Sequence, residues 1–419
     1  MALIKNRSYV TLVTAQFIEQ VGDSLTLMSL ILWASAITTA SGSSSTSVSI
    51  MMFFVGVPII LLGPFAGVFI DRVRKKSMLL SAAAVKGCAA LCIFLFIKDA
   101  GGGSAPFIYF LAMIFSAGAQ FFLPAKSAFI PDLVVKKDLA TANSVSAVVT
   151  VLVLIAGFAA AGFVTAAIGV RKTVLIAVAA YVITPFFLAA VGHFEEKKTE
   201  KQKAREIWGE FKDGMSHLFG SNEIKFIARR VSVLMVTIGV FFVALSGKYL
   251  RIILDYTGLG MQHSQALGLM LAVLGAGLVA GTIITDRLNR AIGEKNIIRV
   301  VYPVLGACVI ILFYFPNYYF LLGAGFGAGA GGALVLGLAE TVIQKNTSAA
   351  LRGRLFAAYY FIRNSSTTAG TTLAGALAII MDEPGIILLC GGGLALYWAV
   401  SLAAQKLTEI KRGKNGKMP

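Results

Sequence analysis

Apolar runs long enough to cross a bilayer recur along this chain, parted by short polar breaks. A helix needs about 20 consecutive apolar residues to span the hydrocarbon layer. By that measure the pattern predicts spans near 9–38, 47–70, 77–98, 106–130, 141–166, 172–192, 228–256, 263–285, 296–315, 317–342, 354–381 and 386–406. The breaks suit turns: 41–47 is a Ser/Thr/Gly stretch, 99–104 is glycine-rich, and Pro316-Asn317 and Asp382-Glu383-Pro384-Gly385 are tight-turn sequences. The first run is too long for the core of a secretory leader and has no convincing cleavage site, so it reads as a span.

Alternate breaks are basic. Lys5 and Arg7 precede the first span, and Arg72, Arg74, Lys75 and Lys76 follow the second. Lys136 and Lys137 follow the fourth, and Arg287, Arg290, Lys295 and Arg299 surround the turn after the eighth. Lys345, Arg352 and Arg354 follow the tenth, and Lys411, Arg412, Lys414 and Lys417 close the chain. The opposite breaks hold little base beyond Arg171 and Lys172. Basic loops stay on the cytoplasmic side. Both termini are therefore expected in the cytoplasm, which requires an even number of spans.

The longest polar segment, His193 to Arg230, mixes acid and base. Within it Ile207, Trp208, Phe211, Met215, Leu218 and Phe219 recur at helical spacing, as in an amphipathic helix at the cytoplasmic interface. This divides the chain into a six-helix bundle over 1–192, a linker over 193–227, a second six-helix bundle over 228–406 and a basic tail over 407–419. The fold expected is an all-α membrane protein of about twelve transmembrane helices in two pseudo-symmetric halves. The halves carry an echo: Gly63-Pro64-Phe65-Ala66-Gly67 leads to Asp71-Arg72, and Gly277-Leu278-Val279-Ala280-Gly281 leads to Asp286-Arg287.

Composition removes other classes. Of 419 residues 57% are hydrophobic and 14% charged, whereas a soluble domain is roughly a quarter charged. The net charge of +17 resides in the short breaks, so no nucleic-acid partner is expected. Cys88, Cys92, Cys308 and Cys390 lie in apolar runs, and His193, His217 and His263 lie in loops or at their margins without metal-ligand spacing. Neither a disulfide framework nor a metal or other cofactor is expected. The chain shows no nucleophile–base pair and no nucleotide loop, so it does not read as an enzyme or an ATP-driven pump. The glycine-rich run at 323–332 lies inside a span and lacks Lys-Ser/Thr, which points to close helix packing.

The stretch Gly67-xxx-Asp71-Arg72-x-Arg74-Lys75-Lys76 resembles the loop signature of the major facilitator superfamily, with Val73 where the usual form has glycine. The resemblance implies that Asp71 caps a neighbouring helix and pairs with nearby base, with Arg72 beside it, and that Asp286 and Arg287 serve the other half. Three further stretches resemble the drug–proton antiporter group of macrolide and siderophore exporters: Ala15-Gln16-Phe17 with Gly22-Asp23, Pro124-Ala125-Lys126 leading to Pro131-Asp132-Leu133, and Gln344 followed by Arg352-Gly353-Arg354. The Pro-Ala-Lys form, with Lys86, is similar to the lysophospholipid transporter branch. The fifth span keeps the small residues of the antiporter signature, Gly157 to Gly162, without its proline.

An ionisable group inside a span costs roughly 2.5–3.5 kcal/mol and needs a reason. Glu19 and Asp23 are four apart on one face of the first span. Two carboxylates so close in a low dielectric resist being ionised together, as a proton-coupling site requires. A salt bridge to another span, or a solvated Glu19 near the cytoplasmic end, are the alternatives. Lys86, in mid-span, must find an acid, face a wet cavity or lose its proton, unless it snorkels to the interface. Asp23 or Glu19 would serve as a structural partner, and a substrate phosphate as a functional one. Lys126, nearer the cytoplasmic end, is expected to snorkel. Lys248, Arg251 and Asp255 follow i, i+3, i+7 on one face of the seventh span; Arg251 could grip an anionic head group, and Asp255 could lie at the outer interface. Arg363 is a candidate for the cavity or for pairing with Glu340.

These features lead to an alternating-access exporter of an amphipathic small molecule coupled to protons, in a cell (inner) membrane and acting as a monomer. A lysophospholipid flippase and a solute uptake permease are the alternatives.

Overall fold

A computed structural model describes residues 6–37, 44–98, 103–192, 204–347 and 349–415, without the side chains of 64, 66–72, 204–207, 286, 294–295, 298, 349–350, 352 and 404–415. Lys5, residues 41–43 and 99–102, His193, Lys417 and the side chains at Gly67, Asp71, Arg72, Ile207, Asp286, Lys295, Arg352, Lys411, Arg412 and Lys414 thus lie outside the described residues.

The first half holds α1 (Arg7–Ala36), α2 (Ser44–Arg72), α3 (Lys75–Phe96) and α4 (Ala105–Leu133). It continues with α5 (Leu139–Leu152) and α6 (Phe158–Ile168), joined end to end by a π-turn over Val153–Gly157, and α7 (Val170–Ala190). A linking helix, α8 (Ala204–Gly220), follows. The second half holds α9 (Asn222–Ala244) and α10 (Leu250–Thr257), again joined by a π-turn over Leu245–Tyr249. Then come α11 (His263–Ile292), α12 (Glu294–Tyr314), α13 (Tyr318–Lys345), α14 (Ala349–Ile380) and α15 (Glu383–Asn415). With the two jointed pairs counted as single rods, each half contributes six.

Helices are what the chemistry allows here, because a backbone in lipid must satisfy its own hydrogen bonds. Their starts are capped by side chains: Asn6 accepts from Tyr9 N, Ser221 from Ile224 N, and Asn317 from Tyr319 N and Phe320 N. Gly169 and Gly293, at φ +84° and +76°, turn the chain from α6 into α7 and from α11 into α12, in a conformation other residues avoid.

Among the described residues nine rods are long and apolar enough to cross a membrane by composition alone, and α12 adds a shorter apolar stretch, Arg299–Tyr314. The other two are α1 and α14. Their polarity has a structural cause: they face protein rather than lipid. α1 buries Gln16, Glu19, Gln20, Ser24, Thr26 and Ser29 among its neighbours, and α14 buries Thr368 and Thr371.

One apolar core runs through both halves at the end away from the termini, from Trp33, Tyr109 and Val174 in the first to Tyr249, Leu267 and Ile386 in the second. Towards the basic end it divides in two. Tyr9, Leu79, Phe122 and Phe129 form a core within the first half, and Ile227, Tyr302, Leu338 and Tyr359 form another within the second. The halves thus close on each other at the far end. There Ser49 Oγ donates to Thr371 O at 2.6 Å, and Ser45 Oγ to Glu383 Oε1 at 3.1 Å. At the basic end α8 joins them: Trp208 stacks on Phe65 of α2, Phe211 meets Phe361 of α14, and Arg354 pairs with Glu210 at 2.9 Å. The helix expected at the membrane interface therefore packs on α14, where a Cβ on Gly214 would collide with the Arg354 carbonyl.

The close packing expected of the glycine-rich run is found at Gly329, whereas Gly323, Gly325, Gly327 and Gly332 have open space beside them. Side chains at Gly277, Gly281 or Gly329 would strike the backbone of the facing helix, so α11 and α13 approach at their small-residue faces. The same device closes the far-end seam between α6 and α11. A Cβ on Gly268 would lie 2.7 Å from the Phe158 carbonyl, and one on Gly162 would collide with that of Ser264. Gly268→Val is therefore expected to cost about 1–3 kcal/mol by overpacking. Paired spin labels on α6 and α11 should report a wider separation, and the purified protein should melt earlier. An unchanged separation would show that the seam does not depend on this close approach.

Candidate functional site

α1 carries Gln16, Glu19, Gln20 and Asp23, at i, i+3, i+4 and i+7, on a single face. α3 brings Lys86 against that face. The side chain of Lys86 is wholly buried, and its ammonium contacts Glu19 Oε1 and, at 2.5 Å, Asp23 Oδ1. α7 supplies Tyr181, whose hydroxyl donates to Asp23 Oδ1 at 2.8 Å and lies 3.4 Å from Thr26 Oγ1. The rings of Phe115, Phe122 and Tyr181 surround the ammonium at 5.3–5.6 Å, a distance at which an aromatic face attracts a cation. α4 admits the lysine through a missing side chain, since a Cβ on Gly118 would lie 2.8 Å from Lys86 Cγ.

The two carboxylates differ. Glu19 is 1% exposed and Asp23 21% exposed, so Asp23 is the member that water can reach. Glu19 Oε2 is buried without a hydrogen-bond partner. The second cation facing Glu19 is Lys126 of α4. Lys126 is buried rather than extended to the interface: its ammonium donates to Ser146 Oγ at 2.7 Å. Ser146 Oγ donates in turn to Gln16 Oε1 at 2.8 Å, and Gln16 and Gln20 both donate to Thr150 Oγ1. Burial of the Lys126 stem between α1 and α5 is what overrides the snorkelling expected from its sequence position. Two acids and two bases are thus gathered in the first half, Lys86 in contact with both acids and Lys126 tied through Ser146 to Gln16 in a separate hydrogen-bonded chain.

The second half has no matching cluster among the described residues. Arg251 is exposed, and its Nε donates to His263 Nδ1 at 3.3 Å, across the joint between α10 and α11. Lys248 and Asp255 are also exposed. The even i, i+3, i+7 face expected for these three is broken by the π-turn, with Gly247 at ψ −116° just before Lys248. Arg363 and Glu340 do not form an ion pair. Tyr360 stands between them, donating its hydroxyl to Glu340 Oε1 at 3.2 Å and carrying the Arg363 guanidinium 4.6 Å above its ring. In the signature loop Arg74 is exposed at the start of α3, and Arg287 is exposed. The neighbouring bases do pair: Lys75 with Asp132 at 2.5 Å, and Lys76 with the Ala189 and Val191 carbonyls at the end of α7. No group of His, Cys, Asp and Glu among the described residues could hold a metal ion.

Sequence reading did not single out Gln20, Ser146, Thr150 or Tyr181. Gln20 repeats with the α1 carboxylates at helical spacing, which is a usable signal. Tyr181 sits in an apolar run and gives none.

A family profile described as Major Facilitator Superfamily matches residues 12–371. The chain is 24% identical to the uncharacterized MFS-type transporter YfiS of Bacillus subtilis (strain 168), over 97% of this chain and 95% of that protein. It is 26% identical to the putative bacilysin exporter BacE of Bacillus amyloliquefaciens over 37% of this chain and 38% of that one. In fold it is similar to a mutant of the nucleoside transporter NupG, with a TM-score of 0.78 at 12% identity, covering 94% of this chain and 99% of that chain. It is also similar to a bacterial homologue of the iron transporter ferroportin in an inward-facing state, with a TM-score of 0.72 at 16% identity, covering 95% and 98%.

Removing one partner from a buried ionic cluster leaves the others uncompensated, whereas neutralising all of them does not. Lys86→Met is therefore expected to destabilise the protein by about 3–5 kcal/mol. The triple variant Lys86→Met, Glu19→Gln, Asp23→Asn should recover much of that loss. Thermal unfolding of the four proteins (wild type, single, the acid pair and the triple) checks this. Equal loss in the single and triple variants would show that packing rather than charge holds Lys86.

Proposed function

This chain belongs to the Major Facilitator Superfamily and is a secondary transporter, and we propose that it exports an amphipathic small molecule in exchange for protons. The observation that carries the proposal is the Lys86–Glu19–Asp23 cluster: one fully buried ammonium shared by two carboxylates inside the membrane, of which only Asp23 is accessible. With both acids ionised, Lys86 binds α1 to α3 through two contacts. A proton arriving at Asp23 removes one of them; its passage to the unpartnered oxygen of Glu19 restores that contact and removes the other. Each step alters how firmly α1 is held against α3 and α7, and α1 packs in the bundle whose far-end seam must open for alternating access. Binding of substrate to one protonation state then shifts the equilibrium between the two openings by its difference in affinity for them.

Export rather than uptake is favoured by the partial similarity to a putative exporter and by the resemblance of the α1 and α4 motifs to drug–proton antiporters. Flipping of a lysophospholipid is the weaker reading. It would need Lys86 to leave both carboxylates before it could meet a phosphate.

Transport by inside-out vesicles of a panel of probes (ethidium, erythromycin and a lysophosphatidylcholine) tests the proposal. Accumulation of one or more probes should follow an imposed pH gradient and collapse with an uncoupler. Asp23→Asn should abolish accumulation while leaving downhill exchange, and Glu19→Gln should do the same. Gradient-driven accumulation in Asp23→Asn equal to that of the wild type would overturn it.

A further inference from the structure

Two opposite charges stand near one another in the second half without pairing. Glu340 of α13 accepts a hydrogen bond from the Tyr360 hydroxyl at 3.2 Å, and Arg363 of α14 holds its guanidinium 4.6 Å above the same ring. Among the described residues no carboxylate pairs with Arg363 and no base pairs with Glu340. Both charges keep capacity to spare. A guanidinium is a fork of N–H donors, and among the described residues none of those on Arg363 reaches an acceptor. The Glu340 carboxylate accepts from a single hydroxyl, although its two oxygens have room for more.

The group is open to solvent. Tyr360 is 37% exposed, and Arg363 and Glu340 are half-buried. The run Arg363-Asn364-Ser365-Ser366-Thr367 is half-buried throughout. A face of that polarity does not lie against acyl chains, where unpaired charge is excluded. The other faces of α14 pack on α9, α2 and α8. At this end of the molecule the two halves have separate cores, so water enters between them.

The arrangement is dipolar, with one charge of each sign set a phenol ring apart. It matches a guest that carries the same two charges reversed, whereas a guest with one charge leaves one of these groups unmatched. A carboxylate presents coplanar oxygens to the guanidinium fork, and a primary ammonium presents several donors to Glu340. Phe356 stacks on Tyr360 at 5.9 Å, so an apolar body finds aromatic surface beside the charges.

We propose that the transported molecule is recognised here and that it is an amino-acid-like zwitterion, with its carboxylate on Arg363 and its ammonium on Glu340. The inference rests on the reading of this chain as an exporter of a small amphipathic molecule, and it names the chemistry of that molecule. The site lies in the half opposite Lys86, so proton and substrate are held by different halves.

Binding of L-phenylalanine to the purified full chain at neutral pH tests it, read as thermal stabilisation with no gradient imposed. Phenylalanine amide keeps only the ammonium, and N-acetylphenylalanine keeps only the carboxylate. Each should bind the wild type roughly tenfold or more weakly than phenylalanine, the loss of one charged contact. Arg363→Gln should bind phenylalanine and its amide equally, and Glu340→Gln should bind phenylalanine and its N-acetyl derivative equally. Each comparison is a ratio within one protein, so a change in the stability of a variant does not enter it. Equal affinity of the wild type for all three probes, no stabilisation of the wild type by phenylalanine, or survival of the wild-type ratios in either variant would overturn the proposal. Proton coupling is read separately from gradient-driven accumulation, so either reading can fail while the other stands.

Discussion

A lysine ammonium in the interior of a membrane bundle is tolerable only with its counter-charges in contact, and the position of Lys86 therefore fixes much of the first half. Its two acids lie on α1, so α1 must pack against α3. Tyr181 holds Asp23 from the other side, so α7 must pack there as well. Gly118 opens α4 to the lysine stem, and Phe115 and Phe122 close over it. The hydrogen-bonded chain through Lys126, Ser146 and Gln16 extends the same demand to α5. Five of the six rods of this half thus meet at one group of charges.

The second half is organised differently, and the difference bears on function. Among its described residues no ammonium is shared by two carboxylates, and α11 and α13 meet through the close backbone approach that Gly277, Gly281 and Gly329 permit. A half assembled around titratable groups can change its internal fit when a proton binds; one assembled around small residues moves as a rigid body. The shared apolar core at the far end and the divided cores at the basic end define the arrangement that such a movement would reverse.

Much of the fold was legible because lipid imposes a simple rule on length and polarity. The rule weakens where protein replaces lipid. α9 begins at Asn222 rather than near 228, since Glu223 and Lys225 hide its first turn, and α15 runs on to Asn415 past the expected end at 406 because a basic helix continues beyond the apolar span. In the candidate site, helical spacing on α1 and the isolation of Lys86 were readable. Spatial partners were not: the burial of Lys126 depends on Ser146, twenty residues away, and the exposure of Arg251 depends on a π-turn that periodicity does not foresee. Tyr360 standing between Glu340 and Arg363 is likewise a product of packing between α13 and α14.

Proton-coupled export requires the carboxylates around Lys86 to exchange a proton with the aqueous phase. Infrared difference spectroscopy on the purified protein, taken as the bath is shifted from acid to alkaline, reads the carboxyl groups directly. A protonated-carboxyl band should appear at acid pH in the wild type and be lost or displaced in both Asp23→Asn and Glu19→Gln. A spectrum identical in all three proteins would mean that both acids remain ionised beside Lys86 throughout, and that the cluster is structural alone.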